Sequence, residues 1–158
     1  MNYRLDIPRQ HGLGHKEIQE TISKIDPLPG AKEFLDKLRE SGQAIIISDT
    51  FTQFAKPLMK KLGWPTIFCN ELVVGENGEI TDFRMRIDRS KYSTVKALQA
   101  MGFDTIACGD SYNDLEMIKA GKAGFLFRST DSIKEANPDV PAFDSYDDLF
   151  DAIMAAQK

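Results

Sequence analysis

The stretch Thr105–Met117 reads TIACGDSYNDLEM. A short run of β-favouring residues enters a Gly109-Asp110 turn. A helix start follows at once, carrying Ser111, Asn113 and a second carboxylate, Asp114. A strand that ends in charge and turns directly into a helix is a unit of α/β architecture, and in parallel sheets ligands gather just beyond the carboxyl ends of the strands. The charge needs an explanation, because two carboxylates four residues apart at the end of a buried strand are costly unless something compensates them.

Working outward, the same alternation recurs on both sides. Towards the N-terminus, QAIIIS carries Ile45, Ile46 and Ile47 in a run too continuous for a half-exposed strand, and this predicts a strand buried on both faces. Before it lies a helical segment from His15 to Ile25, the breaker Asp26–Gly30 (DPLPG), and a helix with Phe34, Leu35 and Leu38 on one face that stops at Gly42. After it, FTQFAKPLMKKLG resumes a helical period, with Pro57 predicting a late start or a kink. TIFCN is a strand, and Asn77-Gly78 between Val74 and Ile80 signals a hairpin. Beyond Met117 come the strand GFLFRS, a short helix near Ser132–Ala136 and a terminal helix from about Tyr146, capped by Asp144 or Ser145. There are no repeats or low-complexity segments.

Length and composition bound the function. The 158 residues, 42% hydrophobic, are enough for one domain with a core. The formal charge of −4 arises from 24 acidic and 20 basic residues interspersed along the chain, which argues against a nucleic-acid partner. No apolar run approaches the ~18 residues of a membrane span, and the first ten residues have no apolar core of a leader. A cytoplasmic protein without a membrane partner is expected. Cys69 and Cys108 lie in apolar stretches outside any C-x-x-C pattern and read as reduced thiols, Cys108 as a small core residue rather than a nucleophile.

The chemistry is sought at two strand ends. Asp110 and Asp114 are hard oxygen ligands of the kind Mg²⁺ takes while it keeps waters and bridges to phosphate oxygens. The competing reading has Asp110 simply capping the helix. Ser48, Asp49 and Thr50 end the isoleucine strand where a helix begins, a place suited to phosphate, or to ordinary capping. Lys91 stands at a helix start, where the dipole disfavours a cation, and so invites an anionic partner. His11 and His15 are four apart, but the glycines between them argue against a helical metal site.

The motifs IIISDT, Lys91 and GDSYND resemble, in order and spacing, the second, third and fourth motifs of the haloacid dehalogenase superfamily. The run from MNYRL through HGL, PLPGA, SDTF and GDSYND to FDSYDDL is most similar to bacterial phosphoserine phosphatases, particularly those that also phosphorylate homoserine. The resemblance implies a three-layer Rossmann-like α/β fold with a mainly parallel sheet, residues 26–158 as the core and residues 1–25 as the remnant of a helical cap. It implies Mg²⁺-dependent phosphoryl transfer through an aspartyl-phosphate, in serine biosynthesis. Ser48 would donate its hydroxyl to the phosphoryl group, with Asp49 beside it, and Lys91 would neutralise charge. Asp110 would hold Mg²⁺ with Asp114 supporting it from behind, Asn113 would contact substrate, and Arg4 would reach the substrate carboxylate.

The family's first motif, an Asp-x-Asp or Asp-x-Glu pair on a central first strand, supplies the nucleophile, and no segment here corresponds to it. This predicts two unpaired strand edges, negligible hydrolysis by the chain alone, and either a natural start upstream of Met1 or a partner, such as a strand-swapped second copy, that fills the place. The alternatives are a non-catalytic phosphate-binding or interaction module that pairs with another chain, and a phosphatase acting on another small phosphometabolite.

Overall fold

The computed structural model describes residues 15–158, and Arg4 and His11 lie outside them. The described residues fall into two compact units that divide between residues 88 and 89, where the chain length alone suggests one domain. Each has its own three-stranded sheet, and neither sheet contains strands of the other.

The first unit contains α1 (His15–Ser23), α2 (Ala31–Ser41), β1 (Ile45–Phe51), α3 (Thr52–Lys61), β2 (Thr66–Val74) and β3 (Ile80–Arg84), with strand order β1-β2-β3. β1 and β2 are parallel; β2 and β3 form the antiparallel hairpin announced by Asn77-Gly78, and Gly78 takes the left-handed φ of 82° that the turn requires. Ile45, Ile46 and Ile47 are only half-buried, contrary to the reading of IIIS as a strand covered on both faces. β1 is the end strand of its sheet, and an end strand leaves one side open.

Pro57 neither delays nor ends α3, which runs through it from Thr52. Proline lacks the N–H that would reach back to residue 53. The carbonyl of Gln53 is taken instead by Nε2 of Gln19 in α1, at 2.7 Å. The missing helical bond thus becomes the bond that docks α1. Two apolar clusters complete this unit. Phe51, Leu72 and Ile80 pack with Ile18, Phe54 and Phe83, while Ala55, Met59 and Leu62 pack with Leu35, Ile46 and Ile67. Gly42 ends α2 as expected, although with extended backbone rather than a left-handed cap.

The second unit contains α4 (Ser90–Ala100), β4 (Ile106–Gly109), a 3₁₀ turn (Tyr112–Asp114), α5 (Leu115–Ala120), β5 (Ala123–Phe127), α6 (Asp131–Ala136), β6 (Ala142–Phe143) and α7 (Tyr146–Ala156). Its sheet is wholly parallel, ordered β4-β5-β6. Ile118, Leu126, Ile133 and Val140 form its core. β5 runs so close to α5 that a Cβ on Gly124 would lie 2.2 Å from the Ile118 carbonyl oxygen. Ser145 caps α7 by accepting from the amides of Asp147 and Asp148. The two-residue strand β6 had no sequence signal.

The sheets are mainly parallel, as the α/β reading requires. β1 and β4, the strands that carry the polar ends, are each an end strand of their sheet among the described residues. No helix among those residues is long and apolar enough to cross a membrane.

Candidate active site

In the second unit the site is built around Asp114. The 3₁₀ turn after β4 folds its carboxylate back over the strand end. Oδ2 accepts from the amide of Asp110 (3.1 Å), the amide of Ser111 (3.0 Å) and the hydroxyl of Ser111 (2.8 Å). Oδ1 accepts from Nζ of Lys91 at 2.7 Å. The pair is well covered, with side-chain exposures of 16% for Lys91 and 8% for Asp114. Burial opposes the charge on Asp114. The hydrogen bonds from Lys91 and the Ser111 hydroxyl, the Lys91 charge and the Ser111 amide outweigh it, and hold the carboxyl below the ordinary carboxylate range. The close approach depends on Gly109, where a Cβ would meet Cβ of Asp114 at 2.4 Å.

Lys91, the second residue of α4, therefore finds its anionic partner inside the unit. The two carboxylates of GDSYND have different employment. Asp110 does not cap the helix; Ser111 does, in a reciprocal capping box with Asp114. The carboxylate of Asp110 is exposed and makes no hydrogen bond or ion pair with any described residue. Its backbone is held on both sides, the N–H by Asp114 and the carbonyl by the buried hydroxyl of Ser129 at 2.9 Å. Ser129 follows Arg128, whose φ of 52° is uncommon for a residue with a side chain. The Arg128 guanidinium lies 5.0 Å from the Phe127 ring and 4.8 Å from the Tyr146 ring, and donates to the Asp144 carbonyl. Asn113 is exposed on the same turn.

Ser129 and the hydroxyl of Ser111 were not anticipated. A signal existed for Ser129, since GFLFRS is a third strand ending in a polar residue. Cys108 is half-buried, and desolvation pushes its thiol up to about 12, which suits a core residue and not a nucleophile.

In the first unit, Ser48 and Asp49 occupy a bulge at the end of β1. Pairing with β2 runs Ile47 to Phe68 and resumes at Phe51 to Asn70, so Ser48, Asp49 and Thr50 stand opposite Cys69 alone. The Ser48 hydroxyl accepts from the Thr50 amide at 3.2 Å, which leaves its own proton to donate elsewhere.

No group of three or more His, Cys, Asp or Glu side chains converges on a metal-sized site among the described residues. A dedicated all-protein cage is therefore absent there. What is present is one uncommitted carboxylate, Asp110, steadied by a second that is already fully hydrogen-bonded. That donor set fits Mg²⁺, which keeps most of its waters and shares itself with phosphate oxygens, better than it fits a cation that needs six or more protein oxygens.

Comparison with known proteins gives a consistent picture. The family model for haloacid dehalogenase-like hydrolases matches residues 5–119. A phosphoserine phosphatase of Pseudomonas aeruginosa, ThrH, is 40% identical over 94% of this chain and 73% of its own length. A phosphoserine phosphatase of Pseudomonas syringae pv. tomato is 41% identical over 94% of this chain and 63% of its own length. Among solved structures, an apo phosphoserine phosphatase superposes with a TM-score of 0.66 at 27% identity, covering 78% of this chain and 65% of that one. A phospho-aspartyl intermediate analogue of phosphoserine phosphatase gives 0.63 at 28% identity, covering 78% and 62%. The chain thus spans about two thirds of the length of these four relatives.

Proposed function

The chain belongs to the haloacid dehalogenase-like hydrolases, and on that premise we propose that it serves Mg²⁺-dependent phosphoryl transfer from phosphoserine in the cytoplasm. The observation that carries this reading is the division of labour at the end of β4. Asp114 is spent on Lys91 and on backbone, while Asp110 is held rigidly and left with its carboxylate free.

In this reading Asp110 holds Mg²⁺, with Asp114 behind it; when bound, the ion supplies Lewis-acid polarisation of a phosphoryl oxygen. Ser48 donates its hydroxyl to the phosphoryl group, and the proton is available because the oxygen already accepts from Thr50. Asp49 lies beside it in the bulge. Lys91 carries positive charge to the reacting centre, held in place by Asp114. Asn113 orients substrate, Arg4 pairs with the substrate carboxylate, and residues 1–25 are what remains of a helical cap. Catalysis of this kind rests on positioning and charge stabilisation. The nucleophilic carboxylate is the missing part. Without a group of that kind the 158-residue chain turns over negligibly.

The test is phosphate release from phosphoserine by this chain and by a version extended upstream with an Asp-x-Asp or Asp-x-Glu strand. Mg²⁺-dependent hydrolysis by the extended version alone is expected. Its absence sinks the proposal. Adding homoserine and looking for phosphohomoserine separates phosphatase from phosphotransferase. The two open edges also favour a second reading, a binding module completed by another chain or a second copy. Calorimetric binding of phosphoserine without turnover in the extended version would favour that instead.

A further inference from the structure

Among the described residues of the first unit Asn70 is the fully buried polar side chain, 1% exposed, and both ends of its carboxamide are committed. Nδ2 donates to the carbonyl of Asp49 at 3.1 Å, and Oδ1 accepts from the amide of Arg86 at 3.0 Å. A carbonyl at one end and an N–H at the other allow only one orientation of the amide. Asn70 also sits where the β1–β2 pairing resumes opposite Phe51, and its own carbonyl accepts from the Thr52 hydroxyl at 3.1 Å. It is therefore fixed from three sides: by strand pairing, by α3 and by the segment that leaves β3.

We propose that Asn70 is a positioning residue for phosphate binding, acting through the Asp49–Thr50 peptide on the Ser48 hydroxyl; this rests on the reading of Ser48 as a phosphoryl donor. The three bulged residues opposite Cys69 have left the ladder, so the strand no longer dictates how their peptides face. In a planar trans peptide the C=O and the following N–H point in opposite directions. Anchoring the Asp49 carbonyl on Asn70 therefore aims the Thr50 N–H away from Asn70. That N–H is the one received by Ser48 Oγ. With one lone pair so occupied, the Ser48 proton is left to be donated, and an anion can accept it. Remove the Asn70 donor and the peptide loses that anchor; the Ser48 hydroxyl is then held less firmly though no group that touches ligand has changed.

The test uses Asn70→Asp, which keeps an acceptor for Arg86 and replaces the donor towards Asp49. Phosphoserine is titrated calorimetrically into the 158-residue chain, and the amide exchange rate of Thr50 is followed by NMR against that of Leu126 in the second unit. We expect affinity to fall at least tenfold at pH 7 (about 1.4 kcal/mol) and Thr50 exchange to accelerate at least tenfold, with Leu126 unchanged. Near pH 5, burial favours a protonated carboxyl at the substituted position, which donates again, and both effects should shrink relative to wild type at the same pH. Asn70→Ala should show both losses with no recovery at low pH, and it replaces Asn70→Asp as the test if that variant does not fold. Unchanged Thr50 exchange, or affinity within twofold of wild type, overturns the proposal. Ser48→Ala separates the two ideas. If it leaves phosphoserine binding intact, the phosphate reading of Ser48 fails, whereas Thr50 exchange still decides whether Asn70 orients the peptide.

Discussion

Replacing Asp114 by Asn is the sharpest single perturbation of this protein, since it preserves shape and removes one charge. The asparagine has one acceptor atom, and the site has donors on both sides. If the amide oxygen faces Asp110 N, Ser111 N and Ser111 Oγ, the NH₂ group faces the Lys91 ammonium, donor against donor. The reverse orientation faces three donors with a fourth and is worse. Breaking a buried ion pair by removing one partner costs about 3–5 kcal/mol. Lys91 retains 16% exposure and so reaches some water, which lowers the expectation to about 2–4 kcal/mol. Lys91→Met should cost less, about 1–2 kcal/mol, because the Asp114 carboxylate keeps its three remaining donors. Urea unfolding in metal-free buffer, followed by circular dichroism, measures both. The pH dependence has a definite sign. The folded state holds the Asp114 carboxyl below its unfolded range, so its stabilisation is complete above the unfolded carboxyl range and is lost as pH falls through the folded value. The gap between wild type and Asp114→Asn should be widest near pH 7, begin to close below about pH 5 and continue closing towards pH 2. A gap under about 1 kcal/mol at pH 7, a larger cost for Lys91→Met, or a gap that widens on acidification would refute the account of Asp114 as the organising group.

Gly109→Ala should destabilise by about 2–3 kcal/mol through overpacking against Asp114. In combination with Asp114→Asn, urea titration should show less than the sum of the two costs, because both act on one contact. Ser129→Ala should cost about 1 kcal/mol by releasing the Asp110 carbonyl, and should weaken Mg²⁺ binding measured by calorimetry. Cys108 should resist iodoacetamide in the native protein at pH 8, where a thiol near 12 is ionised in roughly one molecule in 10⁴. In urea it should be labelled readily, as read by peptide mass spectrometry.

Legibility in the sequence followed the range of the forces involved. The elements of TIACGDSYNDLEM, the Asn77-Gly78 hairpin and the Ser145 cap are set by neighbours a few residues apart, and periodicity and turn chemistry reveal them. Lys91 was legible as a cation in an awkward place, and the structure supplies the reason, Asp114 23 residues on. Other features depend on partners the local pattern does not contain. The isoleucines of β1 read as doubly buried because composition reports what a strand prefers to contact, not whether a neighbour is present on each side. Pro57 read as a late start or a kink because its missing hydrogen bond is local; the helix starts at Thr52 all the same, and the donor that takes the Gln53 carbonyl, Gln19, is 34 residues from it. Ser129 and Asn70 are unremarkable by type; only contacts across the sheet give them a role.

The two units share a way of building their share of the chemistry. In each, a buried polar side chain that will not touch ligand fixes the backbone of a more accessible one that would. Asp114 and Ser129 hold both sides of Asp110, and Asn70 holds the peptide that orients Ser48. Each set of bonds closes within its own unit. The backbone settings at Asp110 and Ser48 are consequently made when each unit folds, rather than when ligand arrives. Ordering a loop on binding costs affinity, and groups already held in place avoid that cost. Substitutions at Asp114, Ser129 and Asn70 should therefore show first as loss of local order, visible in amide exchange without any ligand. Substitutions at Asp110 should leave that order intact and show only when Mg²⁺ is added, whereas Ser48→Ala removes the acceptor of the Thr50 amide and should quicken that one exchange as well as weaken phosphoserine binding.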